Sequence, residues 1–183
     1  DVQANGFQIV EDDRPDQTVT ETGASYMGFA VSALTASAIA GDKRPQIAFT
    51  GDGSFFMNPQ ILIDAVEHGL KATIVIFDNR RMAAITNLQR AQYAVDFRTS
   101  DSVAVNYVQL ASAVRGVMAF DGGDSKQTLQ AALQKAHQHD GLSVVHVPVY
   151  ADGNATEGMG SYGSWNVGNW CDAVQTIYAK QSV

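Results

Sequence analysis

"QIAFTGDGSFFMNPQ" (residues 46–60) decides how the fold is read. Its first five residues are an apolar run of strand length, and a Gly-Asp-Gly turn follows. Its last residues open a helix: Asn58 suits the cap, Pro59 the first turn, and Gly69 the position after the end. Strand, glycine turn and helix in succession form the repeating unit of a parallel sheet.

The same alternation extends outward from this stretch. "ATIVIF" (72–77), "GVMAF" (116–120) and "LSVVHVPV" (142–149) read as buried strands. Segments 25–40, 59–68, 106–115 and 125–139 carry helical spacing, and the first is rich in small residues, as suits close packing on a sheet. The expected fold is α/β, a three-layer doubly wound domain with a mostly parallel sheet covered on both faces. At 151–170, "ADGNATEGMGSYGSWNVGNW" loses all periodicity and reads either as a flap over a site or as a surface tail. The domain reading is therefore 1–150 for the main body and 151–183 for a glycine-rich flap and C-terminal helix of the same domain. The opening "DVQANGF" (1–7) reads as the end of a strand, as in a piece of a longer polypeptide or a subunit.

Composition narrows the partners. The 183 residues suffice for one domain with its own core, and 17% charged residues is ordinary for a globular chain. A net charge of -7 with no basic block argues against nucleic acid and anionic membrane. The single cysteine, Cys171, leaves no internal disulfide and fits a reducing, cytoplasmic compartment. No apolar run has transmembrane length, and the first residues do not read as a signal peptide.

Chemistry is expected beyond the carboxyl ends of the strands, where parallel sheets bind ligands. "TGDGS" (50–54) and "DNRR" (78–81) both fall there, and a plain tight turn explains either one alone. A dinucleotide fingerprint is poorly served: Phe56 replaces the third glycine, and the Asp52 charge would repel a bare pyrophosphate. A phosphate-binding loop of the Walker type lacks its Gly-Lys-Ser/Thr. Asp52 does make sense if a divalent cation lies between it and the phosphates. Magnesium takes oxygen ligands, typically a few from protein and the rest from phosphate and water. Asn79 offers an amide oxygen, and the turn after it offers backbone carbonyls.

"GDGSFFMN" followed by "IVIFDN" resembles the signature of thiamine-diphosphate-dependent enzymes, at the spacing of the acetolactate synthase and decarboxylase branch. "TGASYMGFAVSALTASAIAG" (22–41) is similar to the family's helix start before that signature, and "DVQAN" is similar to its D-V-G-x-H. The likeness runs from the first residues to Ile85, and it implies the thiamin diphosphate-binding fold. It implies thiamine diphosphate and Mg2+ as cofactors, with Asp52, the Asn79 side chain and the Arg81 carbonyl as metal ligands. Gly51, Gly53 and Ser54 would lie at the diphosphate, with Gln3 and Asn5 as weaker contacts. Met27 would wedge under the cofactor and impose its bent, catalytic conformation, and the Ser25 carbonyl would hold the aminopyrimidine.

The segment "RRMAAITNLQ" (80–89) would line the substrate side of the cofactor. Simple pyruvate decarboxylases carry a glutamate where this chain has Ile85, and an apolar residue there suits acetolactate-synthase-like enzymes better. "MAAI" (82–85) also resembles the trihydroxycyclohexanedione hydrolases, and "GSYGSW" (160–165) more loosely so. The family's activating glutamate lies on a pyrimidine-binding domain that nothing here matches. The resemblance thus implies a partner domain or subunit, an oligomer, and a chain inactive alone. The expected function is the cofactor-binding domain or subunit of an enzyme that cleaves or forms C–C bonds beside a carbonyl, on a small 2-oxo acid or 1,2-diketone. The alternatives are the small subunit of a two-chain 2-oxo acid decarboxylase, or a non-catalytic dinucleotide- or diphosphate-binding module.

The histidines read as structural. His137 and His139 suit a solvated helix end, His68 a helix C-terminus, and His146 core or interface.

Overall fold

The computed structural model describes residues 2, 6, 10–21, 26–100 and 103–149. The chain divides into two compact units, Asp1–Asn79 with Val105–Val149, and Arg80–Ala104 with Tyr150–Val183.

The first unit contains helix α1 (Phe29–Ile39), strand β1 (Gln46–Gly51), the single turn α2 (Asp52–Phe55), α3 (Ile61–Glu67) and β2 (Ala72–Asp78). After the second unit's segment come α5 (Tyr107–Ser112), β3 (Met118–Asp121), α6 (Lys126–Gln138) and β4 (Leu142–Pro148). The four strands are all parallel, in the order β1-β2-β4-β3. Gly51 pairs with Phe77 at the last rung between β1 and β2, so Asp52 and Asp78 each follow that rung directly.

Apolar side chains alternate along β2 and β4 between two clusters, because successive strand residues point to opposite faces. Ala48, Ile74, Ile76, Leu142 and Val144 pack under α1, α3 and α5 with Val31, Leu34, Leu62, Ala65 and Ala111. Val75, Val145 and Val147 pack on the opposite face, under Ala132 and Ala136 of α6. Helices on both faces of a parallel sheet make the three-layer, doubly wound α/β architecture that the alternation predicts. The helix α6 shows why sequence and structure agree so closely there. Leu129, Ala132, Leu133 and Ala136 recur on one face, and Ser125 and Thr128 form a reciprocal capping box at the start.

Two local expectations fail. Asn58 does not cap α3, whose cap is Gln60 without a side-chain bond. The Asn58 amide instead donates to Ser32 Oγ at 2.9 Å, a partner on α1 that only tertiary structure provides. The two described residues of the opening stretch are not in a strand either. Val2 and Gly6 are helical, and the Val10 N–H donates to the Gly6 carbonyl four residues back. Gly69 does close α3 in the left-handed region, at φ 61°.

The second unit, over its described residues, is built on α4 (Ala83–Tyr93), a helix the sequence reading passed over. Its alanine, leucine, glutamine and arginine content favours helix. Residues 94–100 fold back along it. Gln89 brackets the backbone of Phe97 with two bonds, Arg90 pairs with Asp96, and the Thr86 and Thr99 hydroxyls lie 2.7 Å apart. The Arg90 guanidinium beside Asp96 holds that carboxyl below its usual range. Among the described residues no helix is long and apolar enough to cross a membrane.

Candidate functional site

The Gly-Asp-Gly turn and Asn79 stand at the carboxyl ends of two adjacent parallel strands, β1 and β2. Asp52 is 7% exposed and opens α2, and its Oδ1 accepts the Gly53 N–H at 2.8 Å. A carboxylate so far removed from water requires compensation by donors or a cation. Gly51 is extended, at φ -83°. A side chain there would meet only Val2, at an ordinary 3.8 Å. Neither backbone conformation nor packing against described neighbours therefore demands a glycine at 51, whereas a ligand approaching the main chain would.

Met27 and the helix α1 join this turn through Ser54. The Gly28 N–H donates to Ser54 Oγ at 2.8 Å, and a hydroxyl that accepts can still donate its own proton. Gly28 needs to be glycine on two counts: φ is 90°, and an added Cβ would meet Met57 Cβ at 3.1 Å. The structure thus brings together the segment around Met27 and the GDGS turn, which are distant in sequence. Met27 is 38% exposed, and Tyr26 and Met57 beside it are more so, which leaves apolar side chains facing outward at the mouth of the turn.

Behind the turn runs an aromatic contact chain. Phe55 and Phe56 pack on Tyr107 with ring centroids 6.1 and 5.6 Å apart, and Tyr107 stacks on His146 at 5.2 Å. His146 Nε2 lies 3.0 Å from Asp78 Oδ2, and Asp78 immediately precedes Asn79. No sequence signal singles out this cluster beyond His146 lying in a strand, because its partners come from α5 and β2.

The other expected site residues belong to the second unit or lie outside the described residues. Arg81 belongs to the second unit, where it bridges to Ser100 and its Nε donates to Ser100 Oγ at 3.1 Å. Arg80 before it is left-handed, at φ 53°. Ile85 lies on α4 in the same unit and is 43% exposed. Gln3, Asn5, Ser25, Cys171 and the glycine-rich stretch from 151 lie outside the described residues. His137 and His139 lie beside Pro45, Gln46 and Lys71 at the amino ends of β1 and β2, away from the Gly-Asp-Gly turn.

The donor set suits magnesium. It consists of hard oxygens, one carboxylate and one amide, at the ends of two adjacent strands. Among the described residues no group of three or more His, Cys, Asp or Glu side chains could hold a metal. A magnesium bound partly through phosphate needs none.

Comparison with known proteins identifies the family. Residues 1–147 match the family described as thiamine pyrophosphate enzyme, C-terminal TPP binding domain. A 3D-(3,5/4)-trihydroxycyclohexane-1,2-dione hydrolase of Lacticaseibacillus casei is 32% identical over 84% of this chain and 24% of its own length. The acetolactate synthase isozyme 1 large subunit of Escherichia coli is 29% identical over 76% of this chain and 25% of its own. The chain thus spans about a quarter of the length of these curated relatives. A solved thiamine diphosphate-dependent 4-hydroxybenzoylformate decarboxylase of Rhodococcus jostii superposes with a TM-score of 0.62 at 21% identity, over 69% of this chain and 24% of that one, and so shares the fold. With a family match from residue 1 to residue 147, the chain belongs to the thiamine pyrophosphate enzymes and carries their C-terminal TPP-binding domain.

Proposed function

We propose that this chain binds the diphosphate end of thiamine diphosphate through Mg2+, as part of an enzyme that cleaves or forms a C–C bond beside a carbonyl. The observation that carries the reading is the buried Asp52 at the end of β1, one strand away from Asn79 at the end of β2. Asp52 and the Asn79 amide hold the metal, and the Arg81 carbonyl is the third ligand that the family resemblance adds. The bareness of Gly51 and Gly53 admits the diphosphate, and Ser54 offers it a proton donor. Met27, carried on the turn that Ser54 anchors, supports the folded cofactor from below, with Ser25 and Asn5 as further contacts. Ile85 lies on the substrate side. Residues 1–150 carry these groups, and 151–183 form the flap and closing helix.

The cofactor supplies an electron sink for the carbonyl carbon; the protein supplies position and charge. The substrate is a small 2-oxo acid or 1,2-diketone, in keeping with the names of the relatives. Activation of the cofactor needs an acid at the far edge of its pyrimidine. Asp52 and Asp78 are committed at the diphosphate end and cannot reach it. A pyrimidine-binding domain, on this polypeptide or on another chain, provides that acid, and the enzyme works as an oligomer.

Thermal unfolding tests the reading. Thiamine diphosphate and Mg2+ together should raise the melting temperature, and neither alone should do so. Asp52→Ala should fold and lose the response. A parent chain that responds to NAD instead, or a variant that responds like the parent, would overturn the assignment.

A further inference from the structure

His146 is half-buried and polar, and the proposed metal shell does not use it. It joins three elements at one point. Its Nε2 lies 3.0 Å from Asp78 Oδ2, and these side chains are only 17% and 10% exposed. Its ring stacks on Tyr107 of α5 at 5.2 Å and 26°. Its own carbonyl accepts the Gly122 N–H at 2.7 Å, so the main chain of β4 is fixed from the other side as well. That approach is close enough that a Cβ at Gly122 would come within 2.8 Å of the His146 oxygen. The Asp78 carbonyl, in turn, accepts the Val149 N–H at 2.8 Å. Both residues therefore have anchored backbones, and a side-chain bond runs diagonally between them.

This bond ends one residue before Asn79. Its other end leads through Tyr107 to Phe55 and Phe56, which directly follow Gly-Asp-Gly-Ser. One contact chain thus connects both strand ends that carry metal ligands. Groups that orient a ligand without touching the metal commonly set its affinity.

We propose that His146 is a positioning residue for the magnesium–diphosphate site, holding Asp78 and the end of β2 so that the Asn79 amide is presented to the metal. The proposal rests on the cofactor reading above. It assigns His146 no contact with cofactor or substrate.

The test uses the full chain with saturating thiamine diphosphate and Mn2+ as the probe, a paramagnetic substitute that also takes oxygen ligands. Bound Mn2+ is counted by electron paramagnetic resonance, and folding is followed separately by urea unfolding. His146→Gln keeps an amide where Nε2 stands, and should bind Mn2+ within about threefold of the parent. His146→Leu removes the donor and should weaken Mn2+ binding by about tenfold or more, the usual scale for loss of an orienting partner. Should the leucine variant not fold, His146→Asn carries the same expectation, since its amide ends short of Asp78. A purely structural histidine would lower the urea midpoint and leave the Mn2+ affinity of the folded protein unchanged, and that result overturns the proposal. A parent chain that binds no Mn2+ with thiamine diphosphate sinks the cofactor reading, and this proposal with it. A parent that binds, beside a folded leucine or asparagine variant that binds equally, sinks the proposal alone.

Discussion

Replacing Ser54 by alanine removes one oxygen atom and tests the link between the Gly-Asp-Gly turn and α1. Ser54 Oγ accepts the Gly28 N–H at 2.8 Å, and Gly28 is buried. Its φ of 90° holds the amide in a left-handed turn, and Met57 crowds the position, so the N–H cannot swing to a new acceptor without disturbing its neighbours. An orphaned buried donor costs about 1–3 kcal/mol. For a neutral amide near the surface of the turn we expect about 1.5–2 kcal/mol, or roughly a 10–30-fold rise in the unfolding constant. At roughly 2–4 °C per kcal/mol for a chain of this size, the melting temperature should fall by about 3–8 °C. The assay is urea unfolding without cofactor or metal, so that loss of a phosphate donor does not enter. Ser32→Ala is the control: the hydroxyl of this exposed serine donates to the Gly28 carbonyl and accepts from Asn58, where water can substitute. Its cost should stay below about 1 kcal/mol. A Ser54→Ala loss under about 0.5 kcal/mol, or no larger than that of Ser32→Ala, would refute the reasoning.

Three further expectations follow from the same structure. Met27→Ala trims a side chain already 38% exposed, so it should fold and keep most of its cofactor affinity while a complete enzyme loses turnover; an unchanged rate would reduce Met27 to packing. The chain alone should not accelerate hydrogen–deuterium exchange at C2 of thiamine diphosphate, followed by NMR, and marked acceleration would remove the need for a partner domain. Asp42, hydrogen-bonded by the Arg44 side chain and then by its backbone N–H, has its carboxyl lowered from 3.8 to about 2. Its folded pKa is depressed, so the contact contributes fully above pH 3.8 and is lost as pH falls through about 2. Carboxyl-detected NMR should find that value and find it restored toward 3.8 in Arg44→Ala; titration near 3.8 in both would contradict the geometry.

What the sequence revealed and what it hid divide along a physical line. Strands β2 and β4 were legible because a parallel strand buried on both faces is a continuous apolar run, and α6 because its stripe and cap are local; β1 was read as buried too, but as an edge strand it leaves Ile47 and Phe49 exposed. Asp52 and Asn79 stood out because a carboxylate between glycines at one strand end is odd until a metal is placed beside it. The helix α4 was missed because no capping side chain announces its start; its order comes from polar clamps such as Gln89 on Phe97. Asn58 was misread because capping propensity is local, while its actual partner, Ser32, lies on another helix. The His146–Asp78 bond joins residues on neighbouring strands whose pairing no local pattern announces.

The sheet order has a consequence for the chain as it is being made. β2 lies between β1 and β4, and β4 begins only about 60 residues after β2 ends. At roughly 5–20 residues per second of synthesis, the ribosome needs on the order of 3–12 s to supply that second neighbour. Throughout that interval β1 and β2 can pair with each other, and the Gly-Asp-Gly turn already exists, yet one edge of β2 stays open. Such an edge, rich in valine and isoleucine, is a template for another nascent chain. Ribosome-bound chaperones are therefore needed most between the emergence of Asp78 and that of Leu142, and rare codons placed there would lengthen the exposure.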